Sequence, residues 1–125
     1  MDDLIYKDEV YAIQGAIFEV YREMGAGFLE PVYQECLEKE LAAREKPFTA
    51  QPNLILQYKG EDLAQTYRPD FVCYDKIILE IKAMQSLTPV HKSQLINYLN
   101  ATGMRLGLLV NFGATPKAEI ERIIY

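Results

Sequence analysis

Tryptophan is absent from the 125 residues, histidine occurs once and cysteine twice. A hydrolase triad would need that one histidine, His91, beside a serine or cysteine nucleophile in a suitable local context, which neither Cys36 nor Cys73 has. Neither cysteine has a partner two residues away, so no disulfide framework or zinc knuckle is indicated, and both read as buried free thiols. Long apolar runs are also missing. The longest, Ile77-Ile78-Leu79 and Leu106 to Val110, fall far short of the ~20 residues that cross a bilayer, and the Met1-Asp2-Asp3 start is acidic where a signal peptide is basic. A cytoplasmic, soluble protein with no membrane partner is therefore expected. Gly25-Ala26-Gly27 lacks the Lys-Ser/Thr of a P-loop and follows no strand, and no helix-turn-helix, zinc-finger or RNA-binding signature is present. Positive charge is in deficit: the net charge of -5 argues against a general polyanion-coating protein. The deficit is uneven, with four Lys/Arg against eleven Asp/Glu up to Glu45 and nine against seven beyond it. A surface that meets nucleic acid has to come from the second part.

What is present fits one continuous domain, 1–125, half hydrophobic and a quarter charged, able to bury ~65% of the surface its unfolded chain exposes. Val10, Ile13, Ile17, Val20, Tyr21 and Met24 recur at helical spacing before Gly25 and Gly27 stop the run. A second helix is expected from Glu30 or Pro31 to about Glu45, with Tyr33, Leu37 and Leu41 as its apolar stripe. The period then shortens. Leu54, Leu56 and Tyr58 alternate, Lys59-Gly60 turns the chain, and Thr66 to Tyr74 and Lys76 to Ala83 read as β-rich runs around a tight turn near Asp75, an antiparallel meander. Thr88-Pro89 starts a third helix that Gly103 ends, and Arg105 to Phe112 reads as a strand buried on both faces. The tail from Ala118 to Tyr125 fits a helix or an edge strand, and the strand is favoured.

The chemistry is concentrated in Arg68-Pro69-Asp70 and Glu80-Ile81-Lys82. A turn centred near Asp75 sets Asp70 opposite Glu80, with side chains ~5 Å apart. Period two then puts Glu80 and Lys82 on one face while Ile77, Leu79 and Ile81 enter the core. Two carboxylates that close raise each other's pKa unless a cation neutralises them, and Mg²⁺, which accepts one or two protein carboxylates plus water and phosphate, suits the pair. Such a site can polarise a phosphodiester, with Lys82 positioning water or stabilising developing charge. The same residues could instead form a cross-strand ion pair on a solvated sheet face.

Pro69-Asp70 followed by Glu80-Ile81-Lys82 resembles the PD-(D/E)XK nuclease superfamily. Gly27-Phe28-Leu29-Glu30-Pro31-Val32-Tyr33 resembles, more narrowly, the motif that names the GxxExxY proteins. Tyr58-Lys59-Gly60, His91-x-x-Gln94 with Tyr98-Leu99, and Gly107-Leu108-Leu109-Val110-Asn111-Phe112-Gly113 extend the likeness from about Ala16 to the C-terminus. The resemblance implies an α/β (α+β) fold with an αβββαβ core, a central mixed sheet flanked by helices. It further implies Asp70 and Glu80 as metal ligands, Lys82 as the catalytic lysine and Glu30 as a glutamate contributed by a preceding helix. Glu30 could equally serve the helix dipole or cap. Tyr33 suits core packing. His91, Gln94 and Tyr98 share a helical stripe, and a glutamine there is a recurring feature of related exonuclease-like families, so Gln94 is expected to bond a phosphate or orient the lysine. His91 fits capping as well as ligation.

The expected activity is Mg²⁺-dependent (or Mn²⁺-dependent) phosphodiester hydrolysis of nucleic acid, with DNA as the leading substrate. Lys82, Lys92, Arg68 and Lys59 would supply a modest basic rim that makes only a few phosphate contacts, with Tyr98 also expected to bind substrate. A homodimer or a larger protein partner would then be needed for useful affinity. The alternatives are a catalytically silent binding or assembly subunit on the same fold, and RNA or nucleotide hydrolysis by the same site.

Overall fold

The computed structural model describes residues 5–125. Helix α1 (Lys7–Met24) and helix α2 (Glu30–Ala43) lead, each with an apolar stripe at the expected positions. Strands β1 (Phe48–Ala50), β2 (Leu54–Tyr58), β3 (Glu61–Tyr67), β4 (Phe71–Cys73) and β5 (Ile77–Lys82) follow. Helix α3 (Pro89–Thr102) then crosses to β6 (Leu106–Asn111), and β7 (Glu119–Ile124) ends the fold.

Five strands form one mixed sheet in the order β1-β4-β5-β6-β7, parallel only between β5 and β6, where α3 makes the crossover. The β4/β5 hairpin keeps the expected register, with Phe71 opposite Leu79, Val72 opposite Ile78 and Cys73 opposite Ile77. The tail is a strand, antiparallel to β6. The expected meander does not form one sheet. The run from Thr66 to Tyr74 breaks at Arg68–Asp70, so β3 pairs with β2 in a separate two-stranded sheet while β4 joins the main one. Proline at position 69 supplies no amide hydrogen for a continuous ladder, and an Arg-Pro step is a natural place for the chain to change partners.

Period two sorts the sheet into two packed faces. Phe71, Ile77, Leu79, Ile81, Leu106, Leu108 and Val110 face α1 and α2, against Ile13, Ile17, Tyr33, Leu37 and Leu41. Ile78 and Leu109 face the other way, against Leu95 and Leu99 of α3 and Tyr67 at the end of β3. The face bearing Glu80 and Lys82 is therefore covered over much of its area by α3 and the β2/β3 hairpin, and is not an open solvated surface. Both cysteines are free. Cys73 is buried, and burial pushes its thiol up to about 12. Cys36 is only half-buried, short of the full burial expected of it.

Candidate functional site

Asp70 and Glu80 brace each other across the mouth of the β4/β5 hairpin. The Asp70 main-chain N–H donates to Glu80 Oε1 at 3.0 Å, and the Ile81 N–H donates to Asp70 Oδ2 at 2.7 Å. Each carboxylate thus spends one oxygen on the opposite strand's backbone. The Asp70 carbonyl is held as well, by Gln34 Nε2 (3.2 Å) and the Gln51 N–H (3.0 Å). Burial holds both carboxyls above the ordinary carboxylate range, and the Asp70 charge adds to this at Glu80; main-chain donors and Lys82 offset part of the shift.

Lys82 is half-buried at the end of β5 and, among the described residues, takes part in no ion pair. Its charge is close enough to favour ionisation of both carboxyls. The segment after it is held by Asn111, fully buried at the end of β6. The Asn111 amide accepts the Met84 N–H (3.0 Å) and the Gly113 N–H (3.0 Å), and donates to the Met84 carbonyl (2.9 Å). A Cβ on residue 113 would lie 2.3 Å from the Met84 carbonyl oxygen, so only glycine lets these two loop backbones pass. The late Gly107–Gly113 run thus owes part of its pattern to holding the chain beyond Lys82.

Glu30 is the first residue of α2, exposed, and lines a cavity of about 550 Å³ with Gln34, Glu38, Gln51 and Asp70. The cavity reaches Asp70 and Ile81 but not Glu80 or Lys82, which point toward α3. Glu30 is therefore brought beside Asp70 and not beside the whole pair. Tyr33 is fully buried, as its packing role requires, and stacks on Phe112 with ring centroids 4.4 Å apart. Its hydroxyl also works: it donates to the Gly25 carbonyl at 2.5 Å and accepts the Phe28 N–H at 3.2 Å. Gly27 sits between them at φ +117°, a conformation that a side chain would strain. Glycine and tyrosine in this motif shape the loop that delivers Glu30.

The remaining predicted residues are less concentrated. Arg68 is exposed and tied to Gln51, through its carbonyl (3.1 Å) and side chain (3.4 Å). Lys92 pairs with Glu121 of β7 at 3.1 Å. Glu80, Leu109 and Glu121 lie in one cross-sheet row, so the Glu121 end of this pair sits two strands, ~10 Å across the sheet, from Glu80. Lys59 lies over the Tyr58 ring at the tip of the β2/β3 hairpin, 5.5 Å from its centroid. Gln94 is exposed on α3, one turn before Tyr98. Tyr98 has one ring face committed to Tyr67, with centroids 3.7 Å apart and planes 3° from parallel. His91 is used as a cap, accepting the Thr88 N–H at 3.2 Å.

Tyr67 was not singled out by the sequence pattern, yet it reaches the site. Its phenol is pushed far up by burial and by the negative charge of Glu80, and its hydroxyl makes no hydrogen bond of normal geometry, although Glu80 lies within electrostatic reach. Its position directly before Arg68-Pro69-Asp70 is the only signal in the sequence, and it reads equally as an ordinary strand residue.

Among the described residues no three His, Cys, Asp or Glu side chains converge, and Asp70 with Glu80 makes a carboxylate pair. That pair suits a hard cation that keeps most of its water, not a closed structural site. No helix among the described residues is long and apolar enough to cross a membrane.

The sequence pattern of the PD-(D/E)XK nuclease superfamily matches residues 7–123. No curated protein matches the chain. Among solved structures, the crystal structure of SSO0001 is similar in fold, with a TM-score of 0.57 and 22% identity over 75% of this chain and 49% of that one. This chain thus spans about half of that structure. The mixed sheet flanked by helices agrees with the superfamily's fold, and its members generally use divalent metals and act on nucleic acid. With the pattern running from the first residue of α1 to Ile123 in β7 and taking in the Asp70, Glu80 and Lys82 hairpin, the chain belongs to the PD-(D/E)XK nuclease superfamily.

Proposed function

We propose that the protein is a metal-dependent nuclease that hydrolyses phosphodiesters in DNA, with Asp70 and Glu80 holding Mg²⁺ or Mn²⁺. The observation that carries this reading is the reciprocal bracing of the two carboxylates, each fixed by an opposite-strand main-chain donor to one of its oxygens. Burial disfavours having both ionised without a cation. A bound divalent cation would supply Lewis acidity toward a phosphate oxygen. Lys82, beside both carboxyls but in no close ion pair among the described residues, is available to stabilise negative charge on the phosphate as the bond breaks. Glu30, on the cavity wall beside Asp70, can take a proton from water entering on that side. Gln94 and Tyr98 on α3, and Arg68 at the foot of β3, would guide the nucleic-acid strand, whereas Lys92 is held at Glu121 and contributes field more than contact. Within the superfamily, the joint work of Gly27, Glu30 and Tyr33 supports placement among the GxxExxY proteins.

The test is single-turnover cleavage of labelled single- and double-stranded DNA and RNA, with Mg²⁺, Mn²⁺ or EDTA, by wild type and Lys82→Met. Metal-dependent DNA cleavage that falls on the order of 10² or more in the variant, with metal binding retained, is expected. Cleavage of RNA alone would change the substrate, and no metal-dependent cleavage of any substrate would make the protein a binding or assembly subunit.

A further inference from the structure

The sheet face that carries Glu80 also holds a buried phenol whose hydrogen bonding is incomplete. Tyr67 is only 5% exposed, and its hydroxyl makes no hydrogen bond of normal geometry, although it lies close enough to Glu80 for the two groups to act on each other. The ring is firmly seated: it stacks on Tyr98 at 3.7 Å and packs among Ile78, Leu95 and Leu99. Ile78 precedes Glu80 by two residues on the same side of β5, so the phenol and this carboxylate share one face. The phenol and the Glu80 carboxylate also act on each other electrostatically.

Phenylalanine would fill the same stack without an unpaired hydroxyl. Buried polar groups are nearly always satisfied, and one that is not calls for an explanation beyond packing. Glu80 offers it. One of its oxygens already accepts the Asp70 N–H. A carboxylate that binds a metal is typically held in orientation by a further hydrogen bond, and that bond stabilises its anionic form.

We infer that Tyr67 is a positioning residue: its O–H donates to the Glu80 carboxylate when a divalent cation draws that group into place, while Tyr98 keeps the phenol from swinging away. The inference rests on the reading of Asp70 and Glu80 as cation ligands. It gives the Tyr67/Tyr98 stack a task in metal binding that a purely structural aromatic pair would not have.

Wild type, Tyr67→Phe and the double variant Asp70→Asn with Glu80→Gln are titrated with MnCl₂, following heat of binding and melting temperature. Tyr67→Phe should melt at or above wild type without metal, since it removes an unsatisfied buried hydroxyl. It should bind Mn²⁺ about 10-fold more weakly or worse. Equal affinity in wild type and Tyr67→Phe would overturn the role of Tyr67 and leave the carboxylate site standing. A large fall in metal-free stability would also overturn it, by showing that the hydroxyl has a structural partner. Absence of any Mn²⁺ response in wild type, or an equal response in the double variant, would remove both the inference and the reading beneath it.

Discussion

Removing charge from the Asp70/Glu80 pair should have opposite effects with and without metal. Two carboxylates ~5 Å apart repel by about 3 kcal/mol at the effective dielectric of a protein surface. Lys82 and water at this half-buried site reduce that to ~1 kcal/mol of net strain. Glu80→Gln relieves it and keeps an amide oxygen to accept the Asp70 N–H, so the metal-free variant should be the more stable protein by ~1 kcal/mol, or ~4 °C in melting temperature for a chain of this size. Cation binding reverses the order. A ligand at 100 times its dissociation constant stabilises the folded state by ~2.7 kcal/mol, equivalent to ~10 °C here. Wild type should rise by that amount in saturating Mg²⁺, while the variant, short of one ligand, should move by less than ~2 °C. Thermal melts followed by circular dichroism with EDTA and then with a Mg²⁺ series would show the two curves crossing. Equal metal-induced shifts in both proteins, or a metal-free wild type more stable than the variant, would refute the reasoning.

The same pair sets a pH dependence. Both carboxyls are raised in the folded protein, so their contribution favours folding at low pH and is lost as pH rises through their folded titration range. The metal-free stability difference between Asp70→Asn/Glu80→Gln and wild type should therefore grow from acid toward neutral pH, and urea midpoints at several pH values would reveal a flat difference if this is wrong. Asn111→Leu would leave the Met84 N–H and carbonyl and the Gly113 N–H without their partner, and should lower stability by ~2–3 kcal/mol in chemical denaturation. On α3, exposed Gln94→Ala should leave stability within ~0.5 kcal/mol while lowering nucleic-acid binding or cleavage, whereas Leu99→Ala, fully buried, should cost ~2–5 kcal/mol. Full activity of Gln94→Ala on every cleaved substrate would reduce this residue to scaffold.

The tail, open to helix or strand by pattern, became a strand through its pairing with β6, whereas the local pattern of the chain determined the three helices, the buried β6 strand and the β4/β5 register that sets Asp70 opposite Glu80. Each depends on residues within a turn or a tight hairpin of one another, where spacing and burial agree. The superfamily motif was legible for the same reason, since its two carboxylates and lysine lie in one hairpin. Tertiary structure decided what joins distant segments. Charged and apolar residues in β3 do not alternate, and Arg68–Asp70 moves the chain between sheets, which leaves β2 and β3 as a separate hairpin with β2 packed against α3. Strand β1 is three residues long and gains its place only from β4. Lys92 meets Glu121, and Arg68 meets Gln51, partners that only the assembled fold brings close. Tyr67 came to Glu80, and the Tyr33 hydroxyl to the Gly25–Phe28 loop, by the packing of layers against the sheet. A periodicity states which face a side chain takes; only the assembled layers state what it meets there.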